Sequence, residues 1–196
     1  MTVYQVKRDL VFAYGRDTEG IMLDVSRRLR DLTDAAAAAD YSGQNAQEFK
    51  NQVVEHIETF NGECASAAKQ LVTVVADQTT RIAQALGGQP LTIEAPVMTI
   101  DPPAIVVDLD TERADIASLN SLAAAIGTLC GQVEELWGEH KSRFDALGNE
   151  GWMGPEYDDA STQVNSLTTN ILAAIETSKS AMTTTVDRQI AVLTGG

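Results

Sequence analysis

Few residues in this chain could carry out chemistry. There are two histidines, His56 and His140, two cysteines, Cys64 and Cys130, and an excess of carboxylates. The one group with metal-ligand character is Glu135, Glu139 and His140. On a helix Glu135 and Glu139 share a face, whereas His140 is turned about 100° away from Glu139. The three therefore read as a solvated charged face. No Ser/His/Asp or Cys/His arrangement can be assembled, and the cysteines read as small buried hydrophobes. Gly87-Gly88 is not a phosphate loop, because it does not lead from a strand into a helix carrying a lysine. No catalytic residue, metal or cofactor is expected.

Recognition is the remaining chemistry. The stretch GNEGWMGPEY, 148–157, places Trp152 among three glycines and a proline, where turns normally hold small or polar residues. A large indole there either packs back onto the flanking helices or is offered to a partner. Trp137 and Phe144, two turns apart on one predicted helix, pose the same choice between core packing and a partner anchor.

Charge narrows the partner. The chain carries 14 Lys+Arg against 28 Asp+Glu, a formal net charge of −14, which argues against nucleic acid and anionic membrane surfaces. The imbalance is concentrated: residues 1–88 carry −3 and residues 89–196 carry −11. The N-terminus MTVYQVKRDL shows no apolar segment with a small-residue cleavage site, so no signal peptide is expected. No unbroken run of 18 apolar residues is visible, so no membrane span is expected.

Apolar residues at three/four spacing predict four long helices. The first spans roughly 3–40, opened by a Thr2/Gln5 capping box; an extended arm before a helix from Asp17 is the alternative, since Gly15 and Gly20 weaken the start. The second runs from about 44 to 87 and stops at Gly87-Gly88. The third opens at Asp110-Thr111-Glu112 and ends at the 148–155 turn. Pro155 starts the fourth, which runs to about 193. Between the second and third lies QPLTIEAPVMTIDPPAIVVDLD, whose prolines exclude helix. Its apolar residues Leu91, Ile93, Val97, Ile100, Ile105, Val107 and Leu109 recur near every second position, which suits an extended strap or a small hairpin turning at Asp101-Pro102-Pro103.

Short loops pair the helices into two hairpins. The endings TTRIAQALGG (79–88) and DRQIAVLTGG (187–196) are alike, so the order reads as an internal repeat. The divisions are a first hairpin over 1–88 turning near 41–43, a connector over 89–110, and a second hairpin over 111–196 turning near 148–155.

A helical hairpin of about 100 residues turned at Trp-x-Gly resembles the WXG100 (ESAT-6/CFP-10-like) proteins of type VII secretion. Trp152-Met153-Gly154 matches that motif, and Tyr41-Ser42-Gly43 is the corresponding, degenerate turn of the first hairpin. The resemblance implies an all-α fold in which two long hairpins pack antiparallel as a four-helix bundle, here fused in one chain. It also implies a non-enzymatic substrate, adaptor or carrier whose partners are proteins (a secretion ATPase or a co-exported protein), and it allows a homodimer. Trp152-Met153-Gly154 would then be the partner-recognition turn, with the Trp152 edge facing solvent, so that Trp152→Ala weakens binding more than stability.

Two lengths bear on the antiparallel arrangement. The connector must travel the length of a hairpin, ~55 Å or about 17 extended residues, and it is long enough. Cys64 and Cys130 would be offset by ~10 Å, too far for a disulfide. One family feature is missing. Exported members carry Tyr-x-x-x-Asp/Glu, but the fourth residue after Tyr4, Tyr14, Tyr41 and Tyr157 is Arg8, Thr18, Asn45 and Ser161. Two locations are therefore expected: secreted or cell-surface by a route independent of a signal peptide, or cytoplasmic. The alternative reading is a cytoplasmic or phage-encoded helical assembly protein.

Overall fold

A computed structural model describes residues 3–195. Along the chain the elements are β1 (Gln5–Val6), α1 (Arg8–Ala38), β2 (Tyr41–Ser42), α2 (Gln44–Ala85), β3 (Arg113–Ala114), α3 (Ile116–Glu150), β4 (Trp152–Met153) and α4 (Pro155–Thr194). The fold is all-α: two long helical hairpins, α1–α2 and α3–α4, joined by an extended strap. The helices span 31, 42, 35 and 40 residues, far beyond the three or four turns of an ordinary globular helix.

The chain forms two compact units that cut across the hairpins. The first gathers residues 3–24, 63–98 and 135–172, and the second gathers 25–62, 99–134 and 173–195. In the first, the turn between α3 and α4 meets the start of α1 and the end of α2. In the second, the turn between α1 and α2 meets the start of α3 and the end of α4. Each hairpin tip thus lies at the open end of the other hairpin, which is the antiparallel arrangement. The core of each unit is the expected helical stripe, with Val11, Leu71, Val75 and Val164 fully buried in the first and Val25, Leu29, Val53 and Ile126 in the second.

Both first helices of the hairpins start later than their sequences suggest. α1 begins at Arg8, and Gln5 is strand rather than a helical capping residue; its expected partner Thr2 lies outside the described residues. α3 begins at Ile116 instead of Asp110, with the Asp115 carboxylate accepting from the Ala117 N–H at 2.9 Å as N-cap. The cause is the same at both places. The preceding residues are held extended by pairing with a hairpin turn, β1 with β4 and β2 with β3, both antiparallel.

The strap contains neither helix nor strand, bends at 109–110, and has no hairpin at Asp101-Pro102-Pro103. It runs over the first hairpin. In the first unit the Leu91 N–H donates to Thr80 Oγ1 at 2.9 Å, and the Arg8 guanidinium donates to the Gln89 carbonyl at 2.7 Å. In the second unit the Gln47 amide donates to the Ile105 carbonyl at 3.2 Å. Its alternation slips at Pro96. Leu91 and Met98 are buried, whereas Val97 and Leu109, expected on the inner side, are exposed. Ile93 packs so closely on Gly15 that a Cβ there would overlap it. Gly15, which weakened the helix by propensity, lets the strap cross α1.

α3 also departs from the expectation that no segment could span a membrane. Its most apolar 18-residue window reaches a mean hydropathy of 1.3, with 28% of that window buried. Length and composition alone are weak evidence of insertion, because a core helix of a bundle passes the same test. Leu119, Leu122, Ile126, Cys130 and Val133 of this helix point into the core.

Candidate functional site

The two turns are built to one plan. In the first unit the Val6–Gln5 arm lies against Trp152–Met153, and the Lys7 N–H donates to the Gly151 carbonyl at 2.7 Å. In the second, Ala114–Arg113 lies against Tyr41–Ser42, and the Asp115 N–H donates to the Asp40 carbonyl at 2.9 Å. A glycine with positive φ follows each pair, Gly154 at 136° and Gly43 at 98°, a backbone that side chains with a Cβ rarely adopt. The next helix starts at once. The Tyr157 N–H bonds the Gly154 carbonyl at 3.0 Å, and the Ala46 N–H bonds the Gly43 carbonyl at 3.1 Å. The equivalence of Trp152-Met153-Gly154 with Tyr41-Ser42-Gly43 is therefore a matter of backbone as well as sequence.

Trp152 itself corrects the sequence reading. It is fully buried, with no edge toward solvent. Its ring meets Phe144 edge-on at 6.3 Å and Tyr157 at 5.4 Å, while Phe144 and Tyr157 stack at 5.5 Å. Two glycines make room: a Cβ on Gly148 would overlap the Tyr157 ring, and one on Gly151 would press into Leu10. Trp137 and Phe144 are also fully buried. They are core residues of the first unit and not surface anchors.

His140 completes this aromatic core. The sequence placed it on a charged face with Glu135 and Glu139, but it is fully buried, while those carboxylates are exposed and Glu139 pairs with Arg143 at 3.0 Å. Its Nε2 lies 2.9 Å from the Tyr14 hydroxyl, and the rings of Tyr14 and Trp137 flank it at 5.6 and 5.9 Å. Burial first, then the Lys141 charge, lowers its pKa to about 4. Burial also raises the Tyr14 pKa. The pair is thus neutral at pH 7. The His140 Nδ1 and both indole N–H groups have no hydrogen-bond partner among the described residues.

The first-hairpin turn is simpler. Tyr41 is buried against Phe49 at 5.7 Å, and its hydroxyl accepts from the Gln189 amide of α4 at 2.8 Å. Lys50, also buried, donates to the Ala37 carbonyl at 2.8 Å, capping the negative end of α1. Burial lowers its pKa.

What remains accessible at the Trp-x-Gly turn is Met153, 41% exposed, with Tyr4 at 50% and Val3 at 57%. The Tyr4 ring lies alongside Gly154. The apolar period of the first helix includes Tyr14, and the turn motif includes Met153, but Tyr4, Tyr157 and Gly148 are not singled out as site residues by the sequence. Only Tyr157 carried a local hint, standing next to the first-turn acids of α4. Cys64 and Cys130 are buried and are not joined in a disulfide, and burial raises the Cys130 pKa to about 11, so Cys130 is not an activated nucleophile. Among the described residues no three His, Cys, Asp or Glu side chains form a group that could hold a metal.

No family model, curated protein or solved structure matches this chain.

Proposed function

We propose that this protein is a non-enzymatic recognition protein, a tandem WXG100-like bundle serving as a substrate, adaptor or carrier of type VII secretion. The observation that carries the reading is the repeated turn: an aromatic-x-Gly, a positive-φ glycine and a two-residue antiparallel pairing, at Trp152–Gly154 and again at Tyr41–Gly43. With Trp152 buried, the recognition surface at the first-unit turn is Met153 with Tyr4 and Val3, and the indole is the support that holds Met153 outward. The partner is a protein, such as a secretion ATPase or a co-exported chain, because the charge of −14 disfavours polyanions.

The test is location. Culture supernatant and lysate are compared in cells with and without a type VII locus. Appearance in the supernatant only when the locus is present supports the proposal, and protein confined to lysate in both strains overturns it. The second reading, an assembly protein that stays in the cytoplasm, is favoured by the residues that follow the four tyrosines, none of which completes Tyr-x-x-x-Asp/Glu.

A further inference from the structure

The repeat that duplicates the turns also duplicates a groove. α2 leaves Gly43 and α4 leaves Gly154, so positions in the two helices correspond when counted from those glycines. In the first unit α2 and α4 border a groove lined by Ser66, Thr73, Val74 and Leu167. In the second they border one of about 630 Å³, lined at the corresponding positions by Thr177, Thr184, Thr185 and His56. The lining positions thus correspond, while the apolar pair Val74 and Leu167 is replaced by Thr185 and His56.

Arg188 adds the decisive group. It lines this second-unit groove and also the adjoining one bordered by Gln52 and Gln189. It is exposed and has no ion-pair or hydrogen-bond partner among the described residues. Neither carboxylate lining the two grooves bonds Arg188: Glu176 pairs with Lys179 at 3.2 Å, and Glu48, still charged, accepts from the Gln52 amide at 3.3 Å. A guanidinium offers a planar fork that matches one carboxylate. The hydroxyls of Ser180 and Thr184, one turn apart on α4, can donate to peptide carbonyls, whereas the Thr177 hydroxyl already donates to the Ala173 carbonyl at 2.9 Å. The protein's negative charge sets an upper limit on the ligand, since a polyanion would be repelled.

We infer that the α2/α4 groove of the second unit binds an extended segment of a partner protein through a single carboxylate, held by Arg188 with His56 in the same groove. The hydroxyls of Ser180 and Thr184 take the segment's backbone carbonyls. The inference does not depend on export, so it stands or falls separately from the secretion reading.

The test is an amide NMR titration of the full chain with the N-acetylated, C-amidated tripeptide Ala-Glu-Ala and its Ala-Gln-Ala counterpart. Saturating shifts confined to residues 45–56 and 176–192 are expected with the Glu peptide, and binding about ten-fold weaker or less with the Gln peptide. Arg188→Gln should abolish the response while leaving the melting temperature unchanged, because Arg188 is exposed and has no partner among the described residues. Lys69→Gln in the first-unit groove should have no effect. Equal response to both peptides, persistence in Arg188→Gln, shifts centred on 66–74, or no shifts would overturn the inference. Tighter binding of inorganic phosphate than of the Glu peptide would overturn the carboxylate assignment.

Discussion

The two turns share a backbone and differ in what stabilises them. At the α3–α4 turn a large indole is enclosed by Phe144 and Tyr157, and Gly148 gives up its side chain so that the Tyr157 ring can lie on it. At the α1–α2 turn the residue equivalent to Gly148 is Ala37, and its carbonyl takes an ammonium from Lys50. There Tyr41 is anchored at its hydroxyl by Gln189. One turn is held by aromatic packing and the other by polar caps. The comparison teaches that a Trp-x-Gly motif can be a packing element: the indole builds the turn, and the residue after it meets solvent.

The sharpest way to break this comparison is Trp152→Ala. Removing a fully buried indole should lower stability by ~3–5 kcal/mol, read by denaturant unfolding, the reverse of an effect on partner binding alone. A loss under about 1 kcal/mol would place Trp152 outside the core after all.

Acid should separate the two units next. The His140 pKa is lowered in the fold to about 4 from an ordinary 6.5, so the unfolded chain takes up its proton first as pH falls. The contribution of neutral His140 is fully present above pH 6.5 and is lost as pH falls toward about 4, the loss amounting to about 3 kcal/mol. Hydrogen exchange should show residues around Tyr14, Trp137 and Phe144 opening before those around Tyr41 and Phe49. A His140→Gln variant should have a flatter stability profile between those limits.

Gly148→Ala should cost about 1–3 kcal/mol through overlap with Tyr157, although alanine normally favours a helix. Pairing it with Tyr157→Ala should restore the ordinary alanine preference. The smallest effect is expected for Tyr41→Phe. Loss of the hydroxyl leaves the ring in place and removes one hydrogen bond from Gln189, about 1 kcal/mol.

Much of the architecture is legible along the chain because its determinants are local. Gly87-Gly88 ends α2, with Gly87 at a positive φ of 82°. Pro155 is the first residue of α4. The repeat is legible too, but with a phase change. The alike endings at 79–88 and 187–196 are separated by 108 residues, whereas the turn glycines Gly43 and Gly154 are separated by 111. The difference of three falls after the turn glycines: α4 is two residues shorter than α2, and the segment that follows it is one residue shorter.

The candidate site was less legible. A tryptophan in a glycine-rich turn is equally compatible with exposure and with burial until its neighbours are known. Those neighbours are residues such as Phe144 and Tyr157, brought together by the hairpin closing, and Leu10, supplied to Gly151 by the other hairpin. His140 was misplaced for the same reason. Its sequence neighbours Glu139 and Lys141 are charged, yet its rotation on α3 directs it to Tyr14.

The sequence by itself determined the number of helices, their pairing into hairpins, the position of both turns and the extended character of the connector. Each follows from apolar period and from the fixed conformational limits of glycine and proline, which act within a few residues. Tertiary structure alone decided that α1 and α3 start late, that Gly15 admits the strap, that Trp152 is enclosed and that Met153 is the residue left outside. Those outcomes depend on which surface the opposite hairpin brings to the same place, and burial is a property of the pair of surfaces rather than of either segment.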